Sequence, residues 1–195
     1  MLVESLTMTE TLESAAQAEN AQIAVLVTRA QRGDADAFTA LHARFAKSVH
    51  AVLLSRLPPA DADDGLQETF VMAWKRLESL REPGAVGPWL HAIARNVATD
   101  RHRARARRGK EEPLFEESAR VEGAAADRGE LRERVMAHLR SLPEAYRETL
   151  AMRLIEGLTG PEIAEATGLT GGSVRVNLCR GMDLLRELLK KEGWP

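Results

Sequence analysis

Apolar side chains recur every three or four residues along most of this chain, and no useful length alternates with a period of two. The first spacing places apolar residues on one side of an α-helix, whereas alternation would indicate a half-buried strand. Phe38, Leu41, Phe45, Val49 and Val52 show the helical spacing best. The pattern therefore predicts an all-α protein.

Helix breakers divide the predicted helices into two groups. Leu57-Pro58-Pro59 ends one helix, and further helices are predicted over about 61–80 and 89–108, with a loop at 81–88. Residues 109–130 lack a helical period, are acidic and contain three glycines and a proline, which is typical of a flexible linker. We predict a disordered extension at 1–20, a helical domain at 21–108, the linker at 109–130 and a second helical domain at 131–191.

The most informative stretch, residues 158–180, predicts two capped helices joined by a glycine turn. Thr159 and Glu162 have the spacing of a capping box, and Gly168 follows the last residue of the first helix. Thr170 can cap the second helix, whose apolar stripe packs into a core. This is a helix-turn-helix, whose second helix fits the major groove of DNA. The polar residues that this helix presents outward are Ser173, Arg175, Asn177 and Arg180.

Charge is unevenly distributed along a chain whose formal net charge is only −2. Residues 29–110 carry 15 Lys and Arg against 9 Asp and Glu, while residues 111–130 carry 2 against 7. A free-standing DNA-binding protein is usually net basic, because counterion release from phosphates supplies most of its affinity. The balance indicates that a larger partner supplies much of the hold on DNA.

Two helices of the first domain carry candidate binding residues. On the helix at 89–108, five arginines follow Asp100 within eight residues, with no acidic residue among them. Such a segment suits phosphate contacts and Asn96 suits a base contact, although a solvated basic helix end is the alternative. On the helix at 61–80, a polar stripe is either a solvated face or a docking surface. The residues of that stripe are Asp64, Gln67, Glu68 and Lys75.

Little in the sequence would support catalysis, a metal or a disulfide. Cys179 is the only cysteine, which excludes an internal disulfide and a cysteine-based zinc site. The five histidines are scattered, and no nucleophile–base pair or glycine-rich phosphate loop occurs. We therefore expect no enzyme activity, no metal and no cofactor. Because no run reaches membrane-spanning length and the acidic N-terminus is unlike a signal peptide, we expect a cytoplasmic protein without membrane insertion.

Three ordered motifs resemble an extracytoplasmic-function (group IV) sigma factor of bacterial RNA polymerase. The first is Asp63-Asp64-Gly-Leu-Gln67-Glu68-Thr-Phe70 followed by Ala73-Trp74, and the second is Trp89-Leu-His-Ala-Ile-Ala-Arg95-Asn96-Val-Ala-Thr-Asp100. The third is the helix-turn-helix behind its acidic linker. The resemblance covers roughly residues 21–190. It implies an alternative sigma factor that binds core polymerase and directs promoter-specific initiation.

The resemblance also implies roles for individual residues and partners. The polymerase β′ and β subunits are the expected partners, and a β′ coiled coil would bind Asp64, Gln67, Glu68 and Trp74. Residues 81–103 would capture the non-template strand of the minus-ten element of promoter DNA, with one base flipped out of the stack. An anti-sigma protein that hides both surfaces is a further expected partner. The minus-ten residues would be the base-reading Asn96 and the phosphate-binding Arg95, Arg101, Arg103 and Arg105, and the minus-thirty-five residues would be Ser173, Arg175, Asn177 and Arg180.

The sequence departs from the family pattern at three places, and two alternative functions remain open. Gly65 stands where a larger apolar residue is usual, the 81–88 loop lacks an aromatic residue, and Val176-Asn177 replace a small-polar and basic pair. One alternative is a self-sufficient helix-turn-helix regulator, which would not need residues 61–108. The other is a sigma mimic that only titrates an anti-sigma protein. Cys179 is either a packing or neutral residue or a redox sensor.

Overall fold

The computed structural model describes residues 18–108 and 134–193. All regular structure in these two stretches is helical, which confirms the all-α prediction there. Most of the predicted extension and the predicted linker at 109–130 lie outside the described residues. The helices are α1 (18–31), α2 (Ala35–Leu54), α3 (Pro59–Arg76), α4 (Val86–Arg108), α5 (134–141), α6 (Glu144–Leu154), α7 (Gly160–Thr167) and α8 (Gly171–Lys191), with short 3-10 turns at Leu77–Ser79 and Pro83–Ala85.

The residues that begin and end these helices are largely those that the sequence indicates. Asp34 accepts a hydrogen bond from the third amide of α2 at 3.0 Å, and Thr170 does the same for α8 at 3.1 Å. Thr159 and Glu162 form a complete capping box at the start of α7. Gly168 ends that helix with a φ of +71°, a left-handed conformation that glycine adopts without strain.

Four predicted boundaries differ from the structure by a few residues. Helix α4 begins at Val86 rather than at residue 89, because Gly87 and Pro88 fit its first turn. Proline lacks a backbone N–H, and the N–H groups of the first turn have no acceptor within the helix. Helix α3 begins at Pro59 for the same reason, and its predicted last residues form the 3-10 turn instead. Residues 18–20, assigned above to the extension, lie in α1.

Close approach between helices explains the glycine at position 65. Helices α1–α4 form one unit, which we name the N-terminal unit. A Cβ atom on Gly65 would lie 3.2 Å from Leu53 Cδ2 and 3.6 Å from Val97 Cγ1. The side chains of α2 and α4 therefore fill the space that a larger residue at position 65 would occupy.

Helices α5–α8 form the C-terminal unit, which contains the helix-turn-helix. Ile163 of α7 and Val174 and Leu185 of α8 are buried together, so the apolar stripe is core, as expected. Helix α8 crosses α6 at Gly181, where a Cβ atom would lie 2.9 Å from Leu150 Cδ1. This contact holds α8 close to α6 and directs its opposite side to solvent.

The two units pack against each other, a contact that the sequence does not predict. Helix α6 lies across α2, and α7 lies against the first turn of α4. A Cβ atom on Gly87 would lie only 2.5 Å from the carbonyl oxygen of Ala166, so glycine is needed at that crossing. Leu54 of the N-terminal unit and Met136 of the C-terminal unit line the same apolar cleft. The buried residues of both units consequently form one contiguous core.

His91 of α4 is the most deeply buried histidine among the described residues. Its side chain is 1% exposed, and its Nε2 atom lies 3.1 Å from the Ser48 hydroxyl oxygen. Burial lowers the pKa of His91 to about 4, against 6.5 for an ordinary histidine. The ring is therefore neutral at physiological pH.

This burial makes the stability of the fold dependent on pH. Between pH 6.5 and 4 the unfolded chain binds a proton at His91 that the folded chain excludes, so the contribution to stability is complete above pH 6.5 and is lost as the pH falls toward 4. At pH 5 the loss is about 2 kcal/mol. We expect His91→Leu to remove it, since Ser48 keeps its own hydrogen bond to the Phe45 carbonyl.

Urea unfolding at pH 7 and pH 5 measures this effect. The free energy of unfolding should fall by about 2 kcal/mol less in His91→Leu than in the wild type. His42→Leu, at an exposed histidine, is the control and should keep the wild-type dependence. Identical pH dependence in His91→Leu and the wild type would contradict the assignment.

Candidate functional site

A mixed polar and apolar surface lies on α3. We name it the α3 face; it consists of Asp64, Gln67, Glu68, Val71 and Trp74, all of which are exposed. Trp74 is 42% exposed, and its ring packs edge-on against Phe38 with centroids 4.8 Å apart. Val71 is 53% exposed. It was not among the predicted residues because that stripe was defined by its polar side chains and valine is apolar. Apolar side chains among carboxylates and amides are typical of a surface that binds another protein.

The α3 face is joined to α4 by an arginine. Arg101 Nη2 donates to Glu68 Oε2 at 3.0 Å, and Arg101 Nη1 lies 3.7 Å from Asp64 Oδ2. Glu68 and Asp64 are 46% and 73% exposed, and ion pairs of that kind contribute about 0–1 kcal/mol. A stronger ligand for either partner can therefore separate them at little cost.

The second half of α4 presents a basic surface to solvent. Asn96, Arg103 and Arg105 are exposed, and the arginines make only long contacts, at 3.6 Å to Asp100 and 3.5 Å to Asp61. Their guanidinium groups remain accessible to an anion. Of the residues predicted to contact the minus-ten element, these three are open, whereas Arg95 and Arg101 are engaged within the protein.

Arg95 is held by the C-terminal unit. Its Nε and Nη2 atoms donate to the two carboxylate oxygens of Glu148 of α6, at 2.9 and 3.0 Å. Arg56 of the N-terminal unit donates to the same carboxylate at 3.0 Å and lies 2.7 Å from Glu144. The Glu148 side chain is only 6% exposed, so these pairs form a nearly buried cluster. No local pattern along the chain indicates this cluster, because its members lie 53 and 92 residues apart.

The cluster keeps Glu148 ionised. Burial alone would raise the pKa of its carboxyl group, but hydrogen bonds and charge from Arg95 and Arg56 outweigh burial and lower that pKa below its usual value. Glu148 in turn raises the pKa of Arg95. Both groups are therefore fully charged at neutral pH, and each neutralises the other.

The outward side of α8 is the recognition face, centred on Gly172, Val176, Cys179 and Asp183. Residues 172, 176, 179 and 183 share one side of the helix, opposite the buried Val174 and Gly181. Ser173, Arg175 and Arg180 are exposed on its flanks, as predicted. Asn177 is half-buried and lies at its margin, so the prediction that it points outward is only partly met.

Two residues at the centre of the recognition face were not predicted. Val176 is 46% exposed and Cys179 is exposed. The helical period contains the signal: once Val174 and Leu178 are assigned to the core, position 176 must point away from it. Selecting the outward residues by polarity, and not by their angular position around the helix, overlooks Val176. The packing role considered for Cys179 is contradicted by its exposure.

No cluster of three or more His, Cys, Asp or Glu side chains that could hold a metal occurs within residues 18–108 and 134–193. In the same part of the chain, none of the helices has the length and apolar character needed to cross a bilayer. The α3 face, the basic surface of α4 and the recognition face offer guanidinium, carboxylate, amide and apolar side chains. These groups bind other macromolecules by charge, hydrogen bonding and apolar contact.

Comparison with known proteins agrees with this geometry. The Sigma-70 region 2 family matches residues 41–108, and the Sigma-70 region 4 family matches residues 132–185. The chain is 31% identical to the ECF RNA polymerase sigma-E factor of Escherichia coli K12, over 83% of this chain and 91% of that protein. It is 29% identical to the sigma-E factor of Haemophilus influenzae, over 85% and 94%.

Solved structures resemble the fold across most of the chain. CnrH, solved in complex with the cytosolic domain of CnrY, is 29% identical with a TM-score of 0.56, covering 87% of this chain and 98% of CnrH. The sigma factor RpoE of Bartonella quintana, solved with the anti-sigma factor NepR, has a TM-score of 0.50 at 24% identity, covering 78% and 96%. The second likeness concerns the fold alone.

Proposed function

The chain belongs to the extracytoplasmic-function family of RNA polymerase sigma factors, and we propose that its exposed surfaces divide promoter recognition between the two units. It is an alternative sigma factor that directs transcription initiation. The observation that carries the division of roles is that one chain holds both a region 2 unit with an exposed α3 face and a region 4 unit with an exposed recognition face. A self-sufficient regulator would need only the second.

The α3 face binds the β′ subunit of core polymerase in this proposal. Gln67 and Glu68 offer an amide and a carboxylate to a basic or polar helix, while Trp74 and Val71 supply apolar area that becomes buried on docking. Asp64 extends the acidic side of the surface. Most of the affinity of such an interface comes from aromatic and aliphatic side chains that are buried at its centre and surrounded by a polar rim.

The basic surface of α4 contacts the minus-ten element as single-stranded DNA. Arg103 and Arg105 bind phosphates, and Asn96 reads a base that leaves the stack. Arg95 and Arg101 join them once their internal carboxylate partners are displaced. The recognition face of α8 enters the major groove at the minus-thirty-five element, where Ser173, Arg175, Arg180 and the marginal Asn177 contact phosphates and base edges.

In this proposal the protein directs polymerase to promoters and supplies no catalysis, so we propose that it has no enzymatic activity of its own. Its proposed binding partners are core polymerase and promoter DNA, so we propose that it acts in the bacterial cytoplasm. CnrH, which this chain resembles, is bound by the cytosolic domain of a second protein. That complex supports an anti-sigma protein as a further partner here.

Separate residues should control polymerase binding and promoter recognition. We expect Gln67→Ala with Glu68→Ala to weaken binding to core polymerase by about ten-fold, because the polar contacts of a docking surface are lost. Arg175→Ala should leave core binding within about two-fold and reduce transcription from promoters with a minus-thirty-five element. Val71→Ser, which leaves the pair between Arg101 and Glu68 intact, should weaken core binding as well.

Fluorescence anisotropy of the labelled chain with core polymerase measures binding, and in-vitro transcription over a genomic library maps the start sites. Arg32→Ala, at an exposed arginine between α1 and α2, is the control for loss of one charge. Equal loss of core binding in Arg175→Ala and in the α3 variant would refute the division of roles.

Val176 should recognise a thymine. An exposed valine at the centre of a recognition helix has no hydrogen bond to offer, and its apolar surface matches the 5-methyl group that thymine presents in the major groove. We expect replacement of one thymine by uracil, within the minus-thirty-five element of a mapped promoter, to reduce transcription about three- to ten-fold. Val176→Ser should make the protein indifferent to that replacement.

Transcription from a matched series of thymine-to-uracil templates tests this contact, with thymines outside the element as controls. A wild-type protein that tolerates uracil at every position of the element would exclude a methyl contact by Val176.

A further inference from the structure

A small cavity lies where the turn between α2 and α3 meets the second half of α4. Its volume is 250 Å³, and α5 of the C-terminal unit contributes one of its lining side chains. Basic side chains dominate the lining, and Asp61 supplies the one carboxylate among the described residues that form it. We name this space the basic cavity. Its basic lining residues are Arg56, Arg101, His102, Arg105 and Arg140.

The contacts of these side chains within the protein leave donors for a ligand. Arg105 Nη1 lies 3.5 Å from Asp61 Oδ2, and the two side chains are 71% and 40% exposed, so this ion pair is weak. The Nε atom of Arg56 is buried and has no acceptor among the described residues. A buried donor without an acceptor is unfavourable, and an oxyanion in the cavity that Arg56 lines is the kind of acceptor it requires.

The N-terminus of α3 borders the same cavity through Pro58 and Asp61. Pro58 is the N-cap residue of this 18-residue helix, and no side chain caps it. The first amides of a helix have no acceptor within the helix, and together with the helix dipole they attract anions. Backbone donors therefore add to the positive charge of the guanidinium groups.

The concentration of positive charge indicates which class of anion fits. Four guanidinium groups and one carboxylate line a space of only 250 Å³. A DNA strand offers one negative charge per phosphate, whereas linked phosphate groups bring several charges into such a space. Phosphate oxygens also match the fork of a guanidinium group and can accept from helix amides at the same time. The cavity thus suits a small oligophosphate better than a single backbone phosphate.

A wider groove continues from the basic cavity along α3 and α4. Its volume is 600 Å³, and Ala60 and Ala104 contribute small apolar side chains to it. The organic part of a phosphorylated ligand would fit there while its phosphate groups occupy the basic cavity. The residues common to the two spaces are Pro58, Asp61, Arg101 and Arg105.

We propose that the basic cavity binds a small ligand with two or more linked phosphate groups. Arg56, Arg105 and Arg140 hold the phosphate oxygens, together with the first amides of α3. Arg101 and Arg105 also belong to the residues proposed to hold promoter phosphates, so the ligand and the promoter strand exclude each other at these two side chains. This exclusion, unlike the site itself, rests on the proposed function.

Isothermal titration calorimetry of the full chain with inorganic pyrophosphate tests the site. At about 0.1 M salt, where long-range attraction is largely screened, we expect one pyrophosphate to bind per chain. Arg105→Gln and Arg140→Gln should each weaken binding about ten-fold, because each removes a charged donor to a phosphate oxygen. Orthophosphate should bind the wild type about ten-fold more weakly than pyrophosphate, because it reaches fewer of the arginines.

Arg107→Gln is the matched control. It makes the same charge change at an exposed arginine of α4 that is not among the residues lining the cavity. It should alter pyrophosphate binding by less than about two-fold. Equal weakening in Arg107→Gln and Arg105→Gln would overturn the proposal, because the basic end of α4 would then attract the anion as a whole. No binding by the wild type, or equal affinity for orthophosphate and pyrophosphate, would overturn it too.

A fluorescein-labelled single-stranded DNA of about 12 nucleotides separates this site from the DNA-binding surface. Arg140→Gln should leave DNA binding within about two-fold of the wild type, because Arg140 lies on α5 and not on the basic surface of α4. If the affinity for DNA falls as much as the affinity for pyrophosphate, the proposal is overturned, since the cavity then belongs to the DNA-binding surface.

Competition in the wild type tests the exclusion. Saturating pyrophosphate should weaken DNA binding at least about three-fold relative to sodium chloride of equal ionic strength, and an unchanged affinity would refute the exclusion. Transcription assays with core polymerase report separately on the proposed function. If the chain binds pyrophosphate but does not direct polymerase to promoters, the proposed function fails and the site stands.

Discussion

A nearly buried carboxylate between two guanidinium groups determines how the two halves of this protein meet. Arg95 and Arg56 lower the pKa of the Glu148 carboxyl group below its usual value against the effect of burial, and an unpaired charge at that depth would be strongly unfavourable. The contact also requires α6 to lie across α2 and α7 to meet the start of α4. The accessibility of Arg95 depends on this contact.

Internal ion pairs connect the binding surfaces to one another. Arg101 links α4 to the carboxylates of the α3 face, and Arg95 links α4 to the helix-turn-helix. A ligand that takes either arginine also changes what the neighbouring surface presents. The α3 face and the C-terminal unit are thus physically connected through α4. The exposed pair at Arg101 is weak, whereas the buried pair at Arg95 is the stronger constraint.

Glycines set the distances on which these contacts depend. Gly65 brings α3 against α2 and α4, Gly181 brings α8 against α6, and Gly87 brings α4 against α7. In each case a Cβ atom would meet a neighbouring atom at 3.2 Å or less. The third contact joins the two units. A sequence pattern identifies such glycines only as irregularities in a helix, since their purpose lies in the partner helix.

Local chemistry made much of this protein predictable from its sequence. The helical period, the caps at Thr159 and Thr170 and the turn at Gly168 depend on neighbours within four residues, so they were correctly assigned. The family motifs likewise lie within single helices. Pairing of Glu148 with Arg95, exposure of Val176 and neutrality of His91 were decided only by tertiary structure. Each of these three properties depends on which helices pack against each other. The helices concerned are separated by tens of residues along the chain, so no local sequence pattern encodes their contact.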